Sequence, residues 1–191
     1  MSIHYTFGQS TVFCKTKEQY GGLSNMAGGY PIRIGDDLIR TSEHLYQALK
    51  YTDYPEVQRA IIAISSPMEA KMHAKTHKNK IRSDWDHIKL GVMEWCLNLK
   101  LLNNIETFGN LLLSLEDRPI VELSKKDDYW GAIPRGDELI GTNMLGRLLC
   151  ILSKKWKDGH DPHLVPVITI PNFYFEGKDV VDLAMAGLEK I

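Results

Sequence analysis

The chain has 191 residues, 43% of them hydrophobic and 25% charged, with a formal net charge of −1 at pH 7. This is the composition of a soluble globular protein, long enough to bury roughly 70% of its unfolded surface without staples. It excludes a broadly basic nucleic-acid binder, though not a local basic patch, and no apolar run approaches the roughly 18 residues that span a bilayer.

Cys14, Cys96 and Cys150 are far apart and odd in number, so neither a disulfide framework nor a zinc knuckle is indicated. The start, Met1-Ser2-Ile3-His4-Tyr5, lacks the basic and apolar regions of a signal peptide. A cytoplasmic protein is expected, with no membrane association and no obligate protein partner.

In chain order, the first forty residues read as strands and turns. Thr11-Val12-Phe13-Cys14 is β-prone, and Gln19 to Asn25 is a glycine-containing loop. Tyr30 to Ile34 and Leu38 to Arg40 flank Gly35-Asp36-Asp37, which predicts a hairpin. Thr41 then caps a helix through Tyr51 with Glu43 in its first turn. Tyr54-Pro55-Glu56 opens a second helix. Ser66-Pro67-Met68-Glu69 is a capping box with proline at the first helical position.

Ser83-Asp84-Trp85-Asp86 starts a long helix carrying Ile88, Val92, Trp95, Cys96, Leu99 and Leu102 at helical spacing. Asn104 to Leu115 predicts a short helix, and Pro119 to Leu123 a buried strand. Residues 124–142 read as a polar, glycine-bearing loop, long enough to suggest function. Thr142 or Asn143 caps a helix through Trp156. Beyond the linker Lys157 to Pro162 come a predicted strand, Val165 to Ile170, and a short helix, Asp179 to Lys190.

Four stretches could carry chemistry. Glu43 sits at the positive end of a helix dipole, which favours the carboxylate form useful against a cationic transition state; complementing the dipole would explain it as well. Ser124 to Gly131 puts acids, Tyr129 and Trp130 in one loop, suited to stacking and proton handling, or to simple anchoring of the loop. Lys71, Lys75 and Lys78 fall on one helical face, a phosphate-binding stripe or a solvated surface. Gly141-Thr142-Asn143 precedes a helix, where backbone N–H groups can meet an anion; a tight start to the helix accounts for it equally.

A metal reading of His160-Asp161-Pro162-His163 is rejected, because proline breaks the segment and no third ligand is evident. His73 and His77 lack the glutamate of H-E-x-x-H. No serine or cysteine nucleophile arrangement can be read.

Taken in order, Leu23-Ser24-Asn25-Met26, Thr41 to Ala48, Ser66 to Lys71, Arg82 to Asp86, Lys100 to Asn104, Asp127 to Gly131 and Gly141 to Gly146 resemble the NADAR (YbiA-like) family from about Val12 to Trp156. Leu23 to Met26, Trp95-Cys96-Leu97 and Ile120 to Ser124 are most similar to members that reverse ADP-ribosylation of guanine in DNA.

The resemblance implies a compact, mainly helical α+β domain over residues 1–156 with a short N-terminal β-hairpin region. Residues 157–191 would form a C-terminal extension, a strand plus a short helix, packed on it. The resemblance further implies hydrolysis of the N-glycosidic bond of ADP-ribose-linked substrates, with ADP-ribosylated guanine nucleotide or DNA as the expected substrate. Early phosphoribosyl intermediates of riboflavin biosynthesis are the alternative, and an ADP-ribose reader without hydrolysis is the rival of another class.

On this reading Glu43 stabilises the ribosyl cation or orients water, and Asp127 carries a proton. Asn25, Trp85, Trp130, Gly131, Asn143 and Lys75 contact substrate, with Trp85 and Trp130 walling the base. Lys71, Lys75 and the Gly141-Thr142-Asn143 helix start hold phosphates. Lys100 and Lys71 are the candidates for a lysine that forms an imine with ring-opened ribose. No metal ion or cofactor is expected.

Overall fold

The computed structural model describes residues 2–161 and 170–190. The predicted strand from Val165 falls almost wholly outside them, as does His163. The chain runs β1 (Ile3–Thr6), β2 (Thr11–Phe13), β3 (Ile32–Ile34), β4 (Asp37–Ile39), α1 (Ser42–Ala48), α2 (Pro55–Ala63), α3 (Pro67–Thr76), α4 (Trp85–Asn103) and α5 (Asn110–Ser114). It continues with β5 (Ile120–Glu122), β6 (Ile133–Arg135), β7 (Glu138–Gly141), α6 (Met144–Lys157), β8 (Tyr174–Phe175), β9 (Lys178–Asp179) and α7 (Val180–Leu188). This is a mixed α+β fold. It forms two compact units, Met1–Ala27 with Ile105–Pro162, and Gly28–Asn104 with His163–Ile191.

In the first unit, β1, β7 and β6 form an antiparallel sheet in the order β1-β7-β6, and β2 pairs in parallel with β5. Val121, Ala132 and Leu139 are buried together at its centre, with Tyr5, Val12 and Leu123 packed against them. Two sequence expectations are corrected here. Residues 124–142 are not loop throughout, because Gly136-Asp137 turns the chain so that β6 and β7 pair. Nor is Asn104 to Leu115 one regular helix: a π-helical turn, Ile105–Gly109, leads into α5. Trp156 Nε1 donates to the Gly109 carbonyl at that junction.

The second unit is built from α1 to α4, the β3–β4 hairpin and the described part of the C-terminal extension. The predicted hairpin forms, with Ile32 opposite Ile39 and Ile34 opposite Asp37, so Asp37 belongs to β4 and the turn is Gly35-Asp36. Ser66 caps α3 by accepting from the Glu69 N–H, with Pro67 in the first turn, as the capping box requires. Long α4 buries Val92, Trp95, Cys96, Leu99 and Leu102 of the stripe read from its spacing, while Ile88 at its start is half-buried.

Asp179 caps α7 through the Val181 and Asp182 N–H groups. Helix α7 lies against β3, where the Gly35 N–H donates to the Leu183 carbonyl at 2.8 Å. Phe173, Phe175 and Val180 are buried, so the extension contributes to the core of this unit. No helix among the described residues is long and apolar enough to cross a membrane.

Candidate active site

Helix α1 sets the chemistry of the second unit. The Thr41 side chain accepts from the His44 N–H and pairs with His44 Nδ1 at 2.8 Å, while His44 Nε2 meets the Ile64 carbonyl at 3.0 Å. Both imidazole nitrogens are therefore engaged, and burial lowers the His44 pKa. This histidine fixes the start of α1.

With that start fixed, Glu43, Tyr46, Gln47 and Lys50 share one face at i, i+3, i+4 and i+7. Glu43 is only 5% exposed. Gln47 Nε2 donates to Glu43 Oε1 at 2.8 Å, and Lys71 Nζ on α3 lies 3.7 Å from the same oxygen. One amide and one ammonium thus orient the buried carboxylate.

Lys50, just past the C-terminal end of α1, is the residue that sequence reasoning missed. Its Nζ lies 5.3 Å from the Tyr46 ring centre and 5.5 Å from that of Trp85, and the two rings are themselves 5.1 Å apart. Burial lowers its pKa to about 8, with Lys71, Lys75 and Lys89 adding to the effect and Glu43 opposing it. The ring faces favour the charged form, yet desolvation among like charges prevails. At that value about one tenth of Lys50 is free amine at pH 7 and about half at pH 8. The available signal was the one-face spacing Glu43, Tyr46, Gln47, Lys50.

Lys50 also borders a cavity of about 240 Å³, lined by Gln47, Tyr51, Ala74, Lys75, Lys78 and Ile81 as well. Of the predicted lysine stripe, Lys75 and Lys78 therefore face this cavity, while Lys71 is drawn to Glu43. The lining is mostly apolar and includes the side chains of three lysines, a setting for an anionic group on a compact ligand. The Tyr51 hydroxyl donates to the Ala74 carbonyl, and burial raises its pKa to about 12, so it acts as a wall and not as an acid.

Trp85, expected to wall the base, lies beside Tyr46 and Lys50. Lys100 is not at the cavity. It is 1% exposed on α4, its Nζ lies 4.7 Å from the Tyr30 ring centre, and burial lowers its pKa to about 7. His73 and His77 stack edge to face, 5.0 Å between ring centres. No group of three or more metal-ligating side chains exists among the described residues.

The first unit holds the other predicted residues. Asp127 Oδ1 accepts from the Tyr129 and Trp130 N–H groups at 3.1 and 2.9 Å, closing a tight turn. Tyr129 and Trp130 pack edge to face, 5.1 Å between ring centres. Gly131 is required by close approach, since a Cβ there would stand 2.5 Å from the Glu122 carbonyl oxygen. Asn25 is buried just after the turn Gly21–Leu23.

The expectation that the Gly141-Thr142-Asn143 helix start holds phosphate is corrected. The N–H groups of Thr142, Asn143, Met144 and Leu145 donate to the carbonyls of Asp128, Gly131, Tyr129 and Trp130. Those donors bind the neighbouring loop and are not presented to an anion. Asn143 itself is fully buried, with φ of 52°. Its Oδ1 accepts from the Glu122 N–H at 3.1 Å and its Nδ2 donates to the Ile120 carbonyl at 2.8 Å. It clips β5 to α6 and offers no substrate contact. Gly146, one turn on, leaves room for the Ile120 carbonyl that a Cβ would strike.

The NADAR domain profile matches residues 12–155. The chain is 34% identical over 143 residues to the N-glycosidase YbiA of Escherichia coli (strain K12), covering 75% of this chain and 86% of that protein. The same figures hold for the N-glycosidase YbiA of Shigella boydii serotype 4. It is 29% identical over 157 residues to a riboflavin biosynthesis protein of Vibrio vulnificus, covering 81% of this chain and 40% of that one. The NMR structure of E. coli YbiA superposes with a TM-score of 0.65 at 33% identity, over 77% of this chain and 85% of that one.

Proposed function

The chain belongs to the NADAR domain family, and from that membership we propose that it is an N-glycosidase cleaving the bond between a phosphorylated ribose and a nitrogen-bearing group. The reading is supported above all by one face of α1, which presents the buried Glu43 carboxylate and the depressed-pKa amine of Lys50 beside Trp85.

Breaking such a bond develops positive charge on C1′ and requires a proton for the leaving nitrogen. The buried Glu43 carboxyl, held by Gln47 and Lys71, is the group that stabilises that charge. The neutral amine of Lys50 is the nucleophile of this proposal, in place of Lys100. It adds to C1′ of the ring-opened sugar, the original nitrogen leaves with a proton, and water then hydrolyses the lysine imine to restore the amine. Lys75 and Lys78 hold the sugar phosphate in the adjoining cavity, and Trp85 walls the reacting end. In the first unit, Asp127 keeps the proposed task of proton carrier, and Trp130 and Asn25 those of substrate contacts.

For the substrate we take ADP-ribose linked to guanine in a nucleotide or DNA, the class to which the sequence resemblance points. The name of the Vibrio relative supports a second reading, a phosphoribosylamine intermediate of riboflavin biosynthesis. The 240 Å³ cavity suits it, being large enough for a phosphate and part of a sugar and smaller than a pocket for a whole dinucleotide.

Incubation with ADP-ribosylated guanine DNA and, separately, with a riboflavin-pathway phosphoribosylamine, followed by mass spectrometry, tests the proposal. Release of free ADP-ribose selects the first substrate and release of ribose phosphate the second. Binding with release of neither product overturns hydrolysis in favour of a reader.

A further inference from the structure

The C-terminal extension lies outside the family match, which ends at residue 155, yet two of its backbone carbonyls meet a buried arginine next to the Lys50–Trp85 pair. The Arg82 side chain is 6% exposed. Its guanidinium forks onto Asp84, Nε to Oδ1 at 2.6 Å and Nη2 to Oδ2 at 3.0 Å. Nη2 also donates to the Pro171 carbonyl at 2.7 Å, and Nη1 to the Asn172 carbonyl at 3.2 Å.

The carbonyls are set by a tight local structure. Asn172 has a φ of 52°. The Thr52 hydroxyl donates to the Asn172 carbonyl at 2.6 Å and accepts from the Tyr174 N–H at 2.8 Å. Phe173 is buried edge to face on Trp95, 5.5 Å between ring centres. Thr52 and Trp95 thus hold residues 172–174 beside Arg82.

The main chain of Arg82 points the other way, toward the chemistry. Its N–H donates to the Lys50 carbonyl at 3.0 Å, and its own carbonyl accepts from the Trp85 N–H at 3.2 Å. One residue thus joins the end of α1 that carries Lys50 to the start of α4 that carries Trp85, and its side chain is held by residues 171–172.

We propose that the turn Pro171-Asn172 is a brace for the active site, acting through Arg82 as a positioning residue that fixes Lys50 against Trp85. The inference rests on the reading of Lys50 as the reacting amine for its catalytic consequence, although the brace itself is a matter of geometry. The contact it protects is short-ranged: a cation holds to a ring face only within about 6 Å of the centre. A displacement of about 1 Å in a positioned reacting group can cost on the order of 10²-fold in rate. If Trp85 withdraws, Lys50 gains water. The charges facing it from α1, α3 and α4, Glu43, Lys71, Lys75 and Lys89, are then screened, and its pKa rises toward the ordinary lysine value.

Three single substitutions in the full chain test this. Asn172→Pro is incompatible with a φ of 52° and moves both carbonyls while leaving Arg82 intact. Asn172→Gly tolerates that φ and serves as the control. Arg82→Lys keeps the charge and the extension but cannot form the fork and the two carbonyl bonds together.

The first measurement needs no substrate: the pH midpoint for acylation of Lys50, read by peptide mass spectrometry. Wild type and Asn172→Gly should share a midpoint near 8, whereas Asn172→Pro and Arg82→Lys should move upward by about one pH unit or more. The second is turnover, in which kcat should fall about tenfold or more with a smaller change in KM. A merely structural role would lower the melting temperature with the Lys50 midpoint unmoved. An unmoved midpoint in either folded variant overturns the brace. Full turnover by Lys50→Arg would instead overturn the lysine reading, and the acylation midpoints would still decide the brace.

Discussion

The Nζ of Lys50 lies 5.5 Å from the ring centre of Trp85, with the Tyr46 ring 5.3 Å away on the same residue. Two aromatic faces thus fix an amine that burial has made easier to deprotonate. Rings and amine serve different ends. The rings exclude water and hold position, while the amine, once neutral, is a nucleophile.

Lys50→Arg separates those roles. Arginine keeps a cation beside the two rings but stays protonated and forms no imine. Turnover should fall by about 10³-fold or more with substrate affinity largely kept. Borohydride added during wild-type turnover should leave a reduced sugar adduct on Lys50. An adduct on Lys71 or Lys100, or none at all, would reject the assignment.

The pH profile follows from the sign of the shift. Only neutral Lys50 reacts, so kcat/KM should rise tenfold per pH unit below about 8 and level off above it. At pH 6 about one hundredth of the maximum should remain. A profile flat from pH 6 to 9 would point to attack by water instead.

The cavity lysines should act on binding. Lys75→Gln with Lys78→Gln removes two of the three ammonium groups around the 240 Å³ cavity. We expect KM to rise about tenfold for a phosphorylated substrate, with less effect on kcat and a weaker dependence of KM on salt. An equal effect on a dephosphorylated analogue would show that the cavity does not read phosphate.

The sequence was most legible where local rules decide. The Ser66-Pro67 start of α3, the β3–β4 hairpin and the α4 stripe all follow from capping, turn chemistry and period. It was least legible where distant segments supply the partner. Strands β6 and β7 looked like loop because their three and four residues are short, and β1, which pairs with β7, lies more than a hundred residues away. The Gly141-Thr142-Asn143 start looked like an anion site because nothing local reveals that residues 128–131 occupy its donors. Lys50 was hidden for the same reason, since its depressed pKa comes from burial and from Lys71, Lys75 and Lys89 on other helices.

The Asn143 clip predicts a pair of unequal losses. Asn143→Ala removes both bonds to β5 and puts a Cβ-bearing residue with no local side-chain compensation at a φ of 52°. Asn143→Gly removes the bonds alone. Urea unfolding should show a loss of about 3 kcal/mol for glycine, from two buried partners left unsatisfied, and about 1 kcal/mol more for alanine. Equal losses would remove the backbone part of the explanation.

Lys100 predicts a stability profile. Its folded pKa is about 7 against an ordinary 10.5, so between those values the unfolded chain binds more protons than the folded one. Stability must therefore rise with pH across that window. The penalty for burying the charge is fully present below about pH 7 and vanishes above about 10.5. Lys50 adds a smaller rise of the same sign between about 8 and 10.5. Lys100→Met removes the larger contribution and leaves that of Lys50 in place, so the difference between the two proteins isolates Lys100. Chemical denaturation at pH 6.5, 8 and 9.5 should give a stability difference, Met variant minus wild type, that shrinks steadily with pH, by about 1 kcal/mol for each unit above 7. A difference constant across the three would mean that Lys100 stays protonated in the fold, held by partners that outweigh its desolvation.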